Sequence, residues 1–274
     1  MWAGTTRAGR DRARWRRTRQ PIGWPVVTTT RLPLFPLNTV LFPGLVLPLN
    51  VFEARYRAMM SDLSELPEEG PRPFAVVAIR DGRESSLSGL GLPEEGERPE
   101  RGPADGFDPE DPMRSFHDVG CVADASTIRP RPAAEGFEVL ATGTTRFRLV
   151  SVDASGPYLT AEVQPLEEVA GEGAGALASG VLRAFRGYQK VLAGANERTL
   201  GPRQELPDDP SVVSYLVAAA TMLYTADKQR LLQAKDTATR LAEELRILRQ
   251  ETSVIARLPS VPGAEFTVRP TSLN

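Results

Sequence analysis

His117 and Cys121 are the only histidine and the only cysteine in the chain, four residues apart, and a thiol beside an imidazole is one way to build a nucleophile. The residues around them alternate in apolar character, which predicts a strand, and four strand residues span ~13 Å along one face. That separation forbids a direct hydrogen bond, so both side chains read as structural. A Ser–Lys dyad would need Lys190, Lys228 or Lys235, the three lysines present. Lys228 and Lys235 fall on predicted helix surfaces, where an ammonium stays solvated and charged. The adjacent carboxylates Glu94-Glu95 and Glu167-Glu168 lie in loop-like sequence and Glu243-Glu244 in helix-like sequence, and all read as solvated. A structural zinc site usually takes four Cys, His or acidic ligands, and the Cys and His content excludes one. No P-loop, dinucleotide-binding glycine pattern or G-x-S-x-G elbow occurs. The expectation is a protein that is not an enzyme, with no catalytic residue, no metal and no cofactor.

What remains is binding, and composition narrows the partner. Against 35 Asp+Glu there are 33 Lys+Arg, a formal net charge of −2, without the basic excess of a nucleic-acid binder. No run of ~18 apolar residues suggests a membrane span. One thiol cannot form an internal disulfide, which fits a cytoplasmic protein. At ~100–200 residues per domain, 274 residues allow one large domain or two modest ones.

The elements that would position such a surface follow from local pattern. Residues 1–30 carry Arg7, Arg10, Arg12, Arg14, Arg16, Arg17 and Arg19 with few apolar partners, too little to offset ordering entropy. They read as a disordered tail, an over-extended start with the protein proper beginning near Val26 or Val27. Residues 32–37 are apolar and β-compatible, but Pro33 and Pro36 confine them to a sheet edge or strand ends. A turn at Pro43-Gly44 leads to a second strand over 45–51. A helix over 52–63 follows, with Phe52, Tyr56 and Met59 or Met60 inward and Glu53 paired with Arg57. The continuous apolar run Phe74-Ala75-Val76-Val77-Ala78-Ile79 predicts a central strand. Residues 82–115, rich in Pro, Gly and acid, predict a mobile insertion. Short alternating strands resume from 118 to 163, with Gly143 expected to break one run.

From 169 the pattern turns helical, after a flexible glycine joint at 171–175. Val181, Leu182, Phe185 and Leu192 lie on one stripe that ends at Gly194. Asp209-Pro210 predicts a cap and first turn for a helix apolar on nearly all sides, including Val212 and Val213. Thr225 or Asp227 is expected to cap a short helix bearing Leu231 and Leu232. Asp236 is expected to start a last helix whose stripe is Leu241, Leu245, Leu248 and Ile255. The division is a strand-built part over 31–168, a helical part over 169–258 and a flexible tail over 259–274. The fold class is α+β.

One long motif carries a resemblance. Leu32-Pro33-Leu34-Phe35-Pro36-Leu37-Asn38-Thr39-Val40-Leu41-Phe42-Pro43-Gly44, continuing through Leu47-Pro48-Leu49 and Val51-Phe52-Glu53-Ala54-Arg55-Tyr56-Arg57, resembles the opening of the Lon protease N-terminal, substrate-binding domain. Val119-Gly120-Cys121-Val122-Ala123, Arg146-Phe147-Arg148, Pro157-Tyr158-Leu159-Thr160, Asp209-Pro210 and Lys228-Gln229-Arg230-Leu231-Leu232 match in order, and the resemblance covers residues 31–256. Asn50 and Ala54 depart from the His and Pro frequent there in stand-alone members. The resemblance implies a PUA-like pseudobarrel of mostly antiparallel strands followed by a C-terminal α-helical bundle. It also implies a stand-alone bacterial member without the ATPase and peptidase domains.

By that resemblance the partners are unfolded or client polypeptides, with a protease or ATPase as a further partner and a role in protein quality control. Binding of that kind needs exposed apolar surface. Val40, Leu41, Phe42, Leu45 and Val46, around the Pro43-Gly44 turn, are the expected peptide-binding residues, and the proline-bearing edge strand beside them could accept an added strand. The alternative is an RNA-associated PUA-like protein, to which Arg146 and Arg148 on one strand, with Arg129 and Arg131 nearby, would contribute. The acidic balance and the lack of interleaved aromatics disfavour nucleic acid.

Overall fold

The computed structural model describes residues 28–67, 69–80, 111–131, 136–195 and 207–257. The expectations for 1–27, for 81–110 within and beside the insertion, for the loop at 196–206 and for the tail from 258 lie outside the described residues. The chain is α+β, with six strands and five α-helices described. The strands are β1 (Thr30–Leu37), β2 (Val46–Val51), β3 (Pro73–Ala78), β4 (Val119–Pro130), β5 (Phe137–Asp153) and β6 (Thr160–Pro165). The helices are α1 (Ala54–Ser64), α2 (Ala174–Ala195), α3 (Pro210–Ala220), α4 (Thr225–Leu232) and α5 (Thr237–Arg257).

The sheet order is β2-β5-β4-β3-β1-β6, and a further β5–β6 pairing joins its ends into a ring of five strands with β2 appended outside. Only β1–β3 is parallel; the other pairings are antiparallel. β1 is therefore interior, which corrects the sheet-edge reading of its prolines; the other reading, strand ends, is met in part, since Pro33 ends one pairing and Pro36 lies one residue from the end of the other. The resolution lies in a change of partner along the strand. Residues 30–33 pair with β6 and residues 34–37 with β3. The N–H of Leu34 donates to Leu159, on the β6 side, and alternation puts the nitrogen of Pro36 on that side too, past the last β6 register pair. The nitrogen of Pro33 faces the β3 side, before that register begins. Each proline lacks a donor only where no partner needs one.

β3 is central, and its continuous apolar run is buried on both faces. Ala75 and Val77 join Leu32, Leu34, Phe147, Leu149, Ala161 and Val163 in one cluster. Phe74 and Val76 join Phe35, Cys121, Ala123, Val139 and α1 in another. α1 supplies Tyr56, Met59, Met60 and Leu63, at helical spacing, to that second cluster. The Phe35 and Tyr56 rings meet at 4.4 Å. Phe52 precedes the helix and is 48% exposed, against the expectation that it points inward. The Glu53 carboxylate, at the helix N-cap, bridges to Arg55 at 3.0 Å.

Gly143 does not break β5, which runs through it. A Cβ there would stand 2.4 Å from the Phe42 carbonyl oxygen, so glycine lets the 41–45 turn lie directly on the strand. Gly44, at φ 78°, makes that turn possible and donates to the Gly143 carbonyl at 2.8 Å, while Gly143 donates to Leu45 at 2.8 Å. The end of the expected insertion, Pro112–Ser115, is a 3₁₀ turn, and Met113 packs against the ring interior.

The glycine joint is fixed where it meets α5: Thr237 and Ala238 donate to the carbonyls of Val169 and Ala170, each at 2.9 Å. α2 continues through Ala195, past Gly194. Its buried Val181, Phe185 and Tyr188 pack with Leu241 and Leu248 of α5. Asp209 caps α3 by accepting from Ser211 and Val212 at 2.8 and 3.1 Å, and Asp236 accepts from Thr239 at 2.7 Å at the start of α5. Val212 is exposed, so α3 has a solvent side after all. Tyr224, not Thr225, is the N-cap of α4; the Thr225 hydroxyl donates instead to Asn38 at 3.0 Å. No helix of the described residues is long and apolar enough to cross a membrane.

Candidate functional site

The two residues with nucleophilic or imidazole chemistry are set into the sheet. Cys121 is fully buried, its Sγ donates to the Val122 carbonyl at 3.4 Å, and burial pushes its thiol up to about 12. It is a packed thiol at neutral pH. His117 is held by its own N–H donating to Ala78 at 3.0 Å. Burial, then the Arg80 guanidinium, lowers its proton affinity, against the opposing pull of Asp118. Arg80 is bound to Asp118 at 2.5 Å. Lys228 is half-buried rather than fully solvated, and burial lowers its proton affinity. Among the described residues no group of three or more His, Cys, Asp or Glu could hold a metal ion.

The expected peptide-binding residues divide. Leu41 and Phe42 are 6% and 1% exposed. Leu41 belongs to the core under α1, and the Phe42 ring packs 6.0 Å from that of Tyr215 on α3. Val40 and Leu45 are partly buried against the same strand–helix cluster. The turn rests on Gly143, and that contact seals it. Only Val46, at 54% exposure, projects outward.

Val46 begins a different surface. Among the described residues, β2 has β5 on one side and no strand on the other. Val46, Pro48 and Asn50 face out while Leu47 and Leu49 face in. Their cross-strand partners are Thr142, Leu140 and Glu138 in turn. Leu140 is 43% exposed, so Val46, Pro48 and Leu140 form an apolar row, with exposed Phe52 beyond the strand end. The Leu45 carbonyl is bonded toward β5, and alternation turns the backbone groups of Val46, Pro48 and Asn50 to the open edge. There Pro48 offers a carbonyl but no N–H. Leu140 was legible in the sequence as the one large apolar residue on the polar side of Phe137, Val139 and Ala141.

Arg146, half of the expected basic strand pair, is not on a ligand face. It is 3% exposed; its Nε donates to Glu168 at 3.0 Å, and its Nη1 donates to the carbonyls of Leu232 and Ala234 at 2.8 and 2.7 Å. Glu168 also accepts from Tyr215, Arg240 and, at 2.8 Å, Thr237. Burial would raise its proton affinity, but the Tyr215 hydroxyl and the Arg240 and Arg146 cations together hold the carboxyl below the usual range. Arg240, fully buried, also bonds Ser214 at 2.8 Å and lies 4.0 Å over the Tyr215 ring. This network joins strands to helices. Arg131 is bridged to Glu138 at 3.4 Å, while Arg129 and Arg148 are exposed.

The description of the matching family model is ATP-dependent protease La (LON) substrate-binding domain, and the match spans residues 31–250. A Lon protease 2 from Syntrophobacter fumaroxidans (strain DSM 10017 / MPOB) is 30% identical over 212 residues, covering 76% of this chain and 23% of that protein. The chain thus spans about a quarter of that relative's length. Among solved structures, the N-terminal domain of Mycobacterium avium complex Lon protease superposes with a TM-score of 0.51 at 17% identity, covering 81% of this chain and 98% of that one. A Lon N-terminal domain protein from Xanthomonas campestris gives 0.49 at 22% identity, covering 79% and 98%.

Proposed function

The chain belongs to the family of Lon (protease La) substrate-binding domains, and from that premise we propose that it binds unfolded client polypeptides in protein quality control, on the outer face and open edge of β2. The family supports a substrate-recognition role and a module without chemistry of its own. The PUA-like pseudobarrel and the helical bundle expected from the sequence are part of this reading, supported by the closed strand ring and by the packing of α2 on α5. A protease or ATPase partner would act on what this surface holds.

The observation that carries the reading is the row of Val46, Pro48 and Leu140, apolar and exposed on a strand whose other edge is unpaired among the described residues. An extended segment laid along it would bury apolar side chains and take backbone bonds from Val46 and Asn50. The missing donor of Pro48 interrupts that ladder, as prolines on native sheet edges do. Binding should therefore be weak and tolerant of sequence, as reversible capture of varied clients requires. The sealed Leu41 and Phe42 contribute by holding β2 in place.

The test is fluorescence anisotropy with a labelled, carboxymethylated and permanently unfolded polypeptide. Val46→Asp with Leu140→Asp should weaken binding at least tenfold, because each charge would have to be desolvated beneath an apolar client. Equal affinity for the double variant and the parent, both folded by circular dichroism, would place recognition elsewhere.

A further inference from the structure

Glu244 lies on α5, one turn after Arg240, and is 2% exposed. Among the described residues, neither of its carboxyl oxygens has a hydrogen-bond partner. Its neighbours across a narrow, partly open gap are Ala218 of α3, Thr221 and Leu223 just past that helix, Leu231 of α4, and Ile247 and Leu248 of α5, and the gap has no room for a water molecule. The Thr221 hydroxyl donates to Val217 at 2.7 Å. A carboxylate buried in this way, without a bonded cation among the described residues, is far less stable than its neutral acid.

The charged groups around it do not relieve the problem. Among the described residues, Arg240, on the same helix, is the charge that opposes the effect of burial on Glu244. Its Nε and Nη2 are engaged by Ser214, Glu168 and Thr237, and its Nη1 has no partner. α3 and the residues just past it contribute Ala218, Thr221 and Leu223 to the gap, none of them charged. On α4, Arg230 is bridged to Asp227 at 2.6 Å and to Glu243 at 3.4 Å, and Lys228 is half-buried without a resolved effect on Glu244. On α2, Arg183, Arg186 and Lys190 are exposed.

We propose that Glu244 is a proton-operated latch, seated as the neutral acid while α4 is docked on α5, whose ionisation releases α4. Of the helices around the gap, α4 is the shortest. It is eight residues long and has no side-chain cap. It also carries a large part of the contact with the strands: Gln229 donates from Nε2 to Val119 at 2.8 Å, and Arg146 bonds the carbonyls of Leu232 and Ala234 just past its end. Moving α4 away admits water to the carboxylate and loosens those bonds together, so proton loss is transmitted to the strand–helix junction. The latch is independent of what binds β2.

Burial holds the acid well above the usual glutamate range, opposed only by Arg240. A group raised in the folded state contributes stability that is complete below its unfolded value and is lost as pH rises toward the folded one. Hydrogen exchange of the α4 amides, corrected for intrinsic base catalysis, reads this directly. In the full chain the opening constant should climb up to tenfold per pH unit above the ordinary carboxylate range and then level off. In Glu244→Gln, which keeps the volume and cannot ionise, it should be flat. Parallel curves for the two proteins would overturn the latch. Isotope-edited infrared spectra of the unmutated protein give a second reading: a buried protonated carboxyl band at neutral pH that bleaches on alkalinisation supports the latch, and a fully ionised set of glutamates at neutral pH overturns it.

Discussion

The strand–helix junction and the outer face of β2 solve opposite problems. At the junction, polar and charged side chains are buried and nearly every donor and acceptor is matched: Arg146, Glu168, Tyr215, Thr237, Arg240 and Ser214 form one connected network. On the β2 face, apolar side chains that could have been buried are left open, with Val46 and Leu140 about half exposed. The junction holds its polar groups inside because they pair with one another, and removing one strands the rest. Among the described residues, the β2 row holds its apolar groups outside, in none of the hydrophobic clusters. The first pattern is what cohesion requires, and the second is what recognition requires.

The largest expected effect lies at the junction. Arg240→Met removes a cation bound to Glu168 and stacked over Tyr215, leaving a half-buried carboxylate less well paired, and should cost about 3–5 kcal/mol in urea unfolding. Adding Glu168→Leu should recover part of that loss, since an apolar replacement of a whole buried pair is often tolerated. A loss under about 1 kcal/mol for Arg240→Met would mean that the network does not bind the two parts together. The pH response sharpens the point. Glu168 is held below its usual range, by Tyr215, Arg240 and Arg146 against the effect of burial. Its contribution is present above the ordinary carboxylate value and disappears as pH falls through the folded one. A urea midpoint that drops on acidification in the parent, and less in Glu168→Gln, is the expected result.

A smaller loss is expected where the sealed turn meets the sheet. In Gly143→Ala the new methyl would stand 2.4 Å from the Phe42 carbonyl and 3.1 Å from Cys121 Sγ, so the turn must lift off β5. Overpacking of this kind costs about 1–3 kcal/mol. Proton-exchange protection at Gly44, whose N–H donates to Gly143, should fall with it. Unchanged protection there would separate the turn from the strand and remove the reason given for the burial of Leu41 and Phe42.

These contrasts also mark what a linear reading can reach. The Asp209 and Asp236 caps, the central strand at Phe74 and the inward face of α1 were legible because each is set by residues within a turn or two of one another. The long motif from Leu32 to Arg57 identified the family. The interior position of β1 was not legible, because it depends on a partner change between two distant strands. Nor was the fate of Arg146, whose partners lie 22 to 88 residues away. Leu41, Phe42 and Val46 are alike in sequence character and differ in what covers them: Leu41 joins the core under α1, Phe42 packs on α3, and Val46 is exposed. Glu244 reads in sequence like its ion-paired neighbour Glu243, and differs from it only in being packed against α3 and α4.

The smallest stability effect should come from the surface with the largest functional one. Leu140→Thr places a β-branched side chain on an exposed strand position beside Pro48, and Val46→Thr does the same opposite Thr142. Neither side chain belongs to a buried cluster, so each change should move unfolding stability by no more than about 0.5 kcal/mol. The two together should still weaken capture of an unfolded polypeptide, less than the aspartates do, because the lost apolar area is partial and no charge is introduced. A stability cost above about 1.5 kcal/mol for either variant would show that the row is packed in solution against a part of the chain beyond the described residues. The contrast with the junction would then collapse, since both regions would be serving cohesion. Stability held with affinity reduced is the outcome that keeps them apart, because only a surface made for an outside partner can lose its function without the fold registering the change.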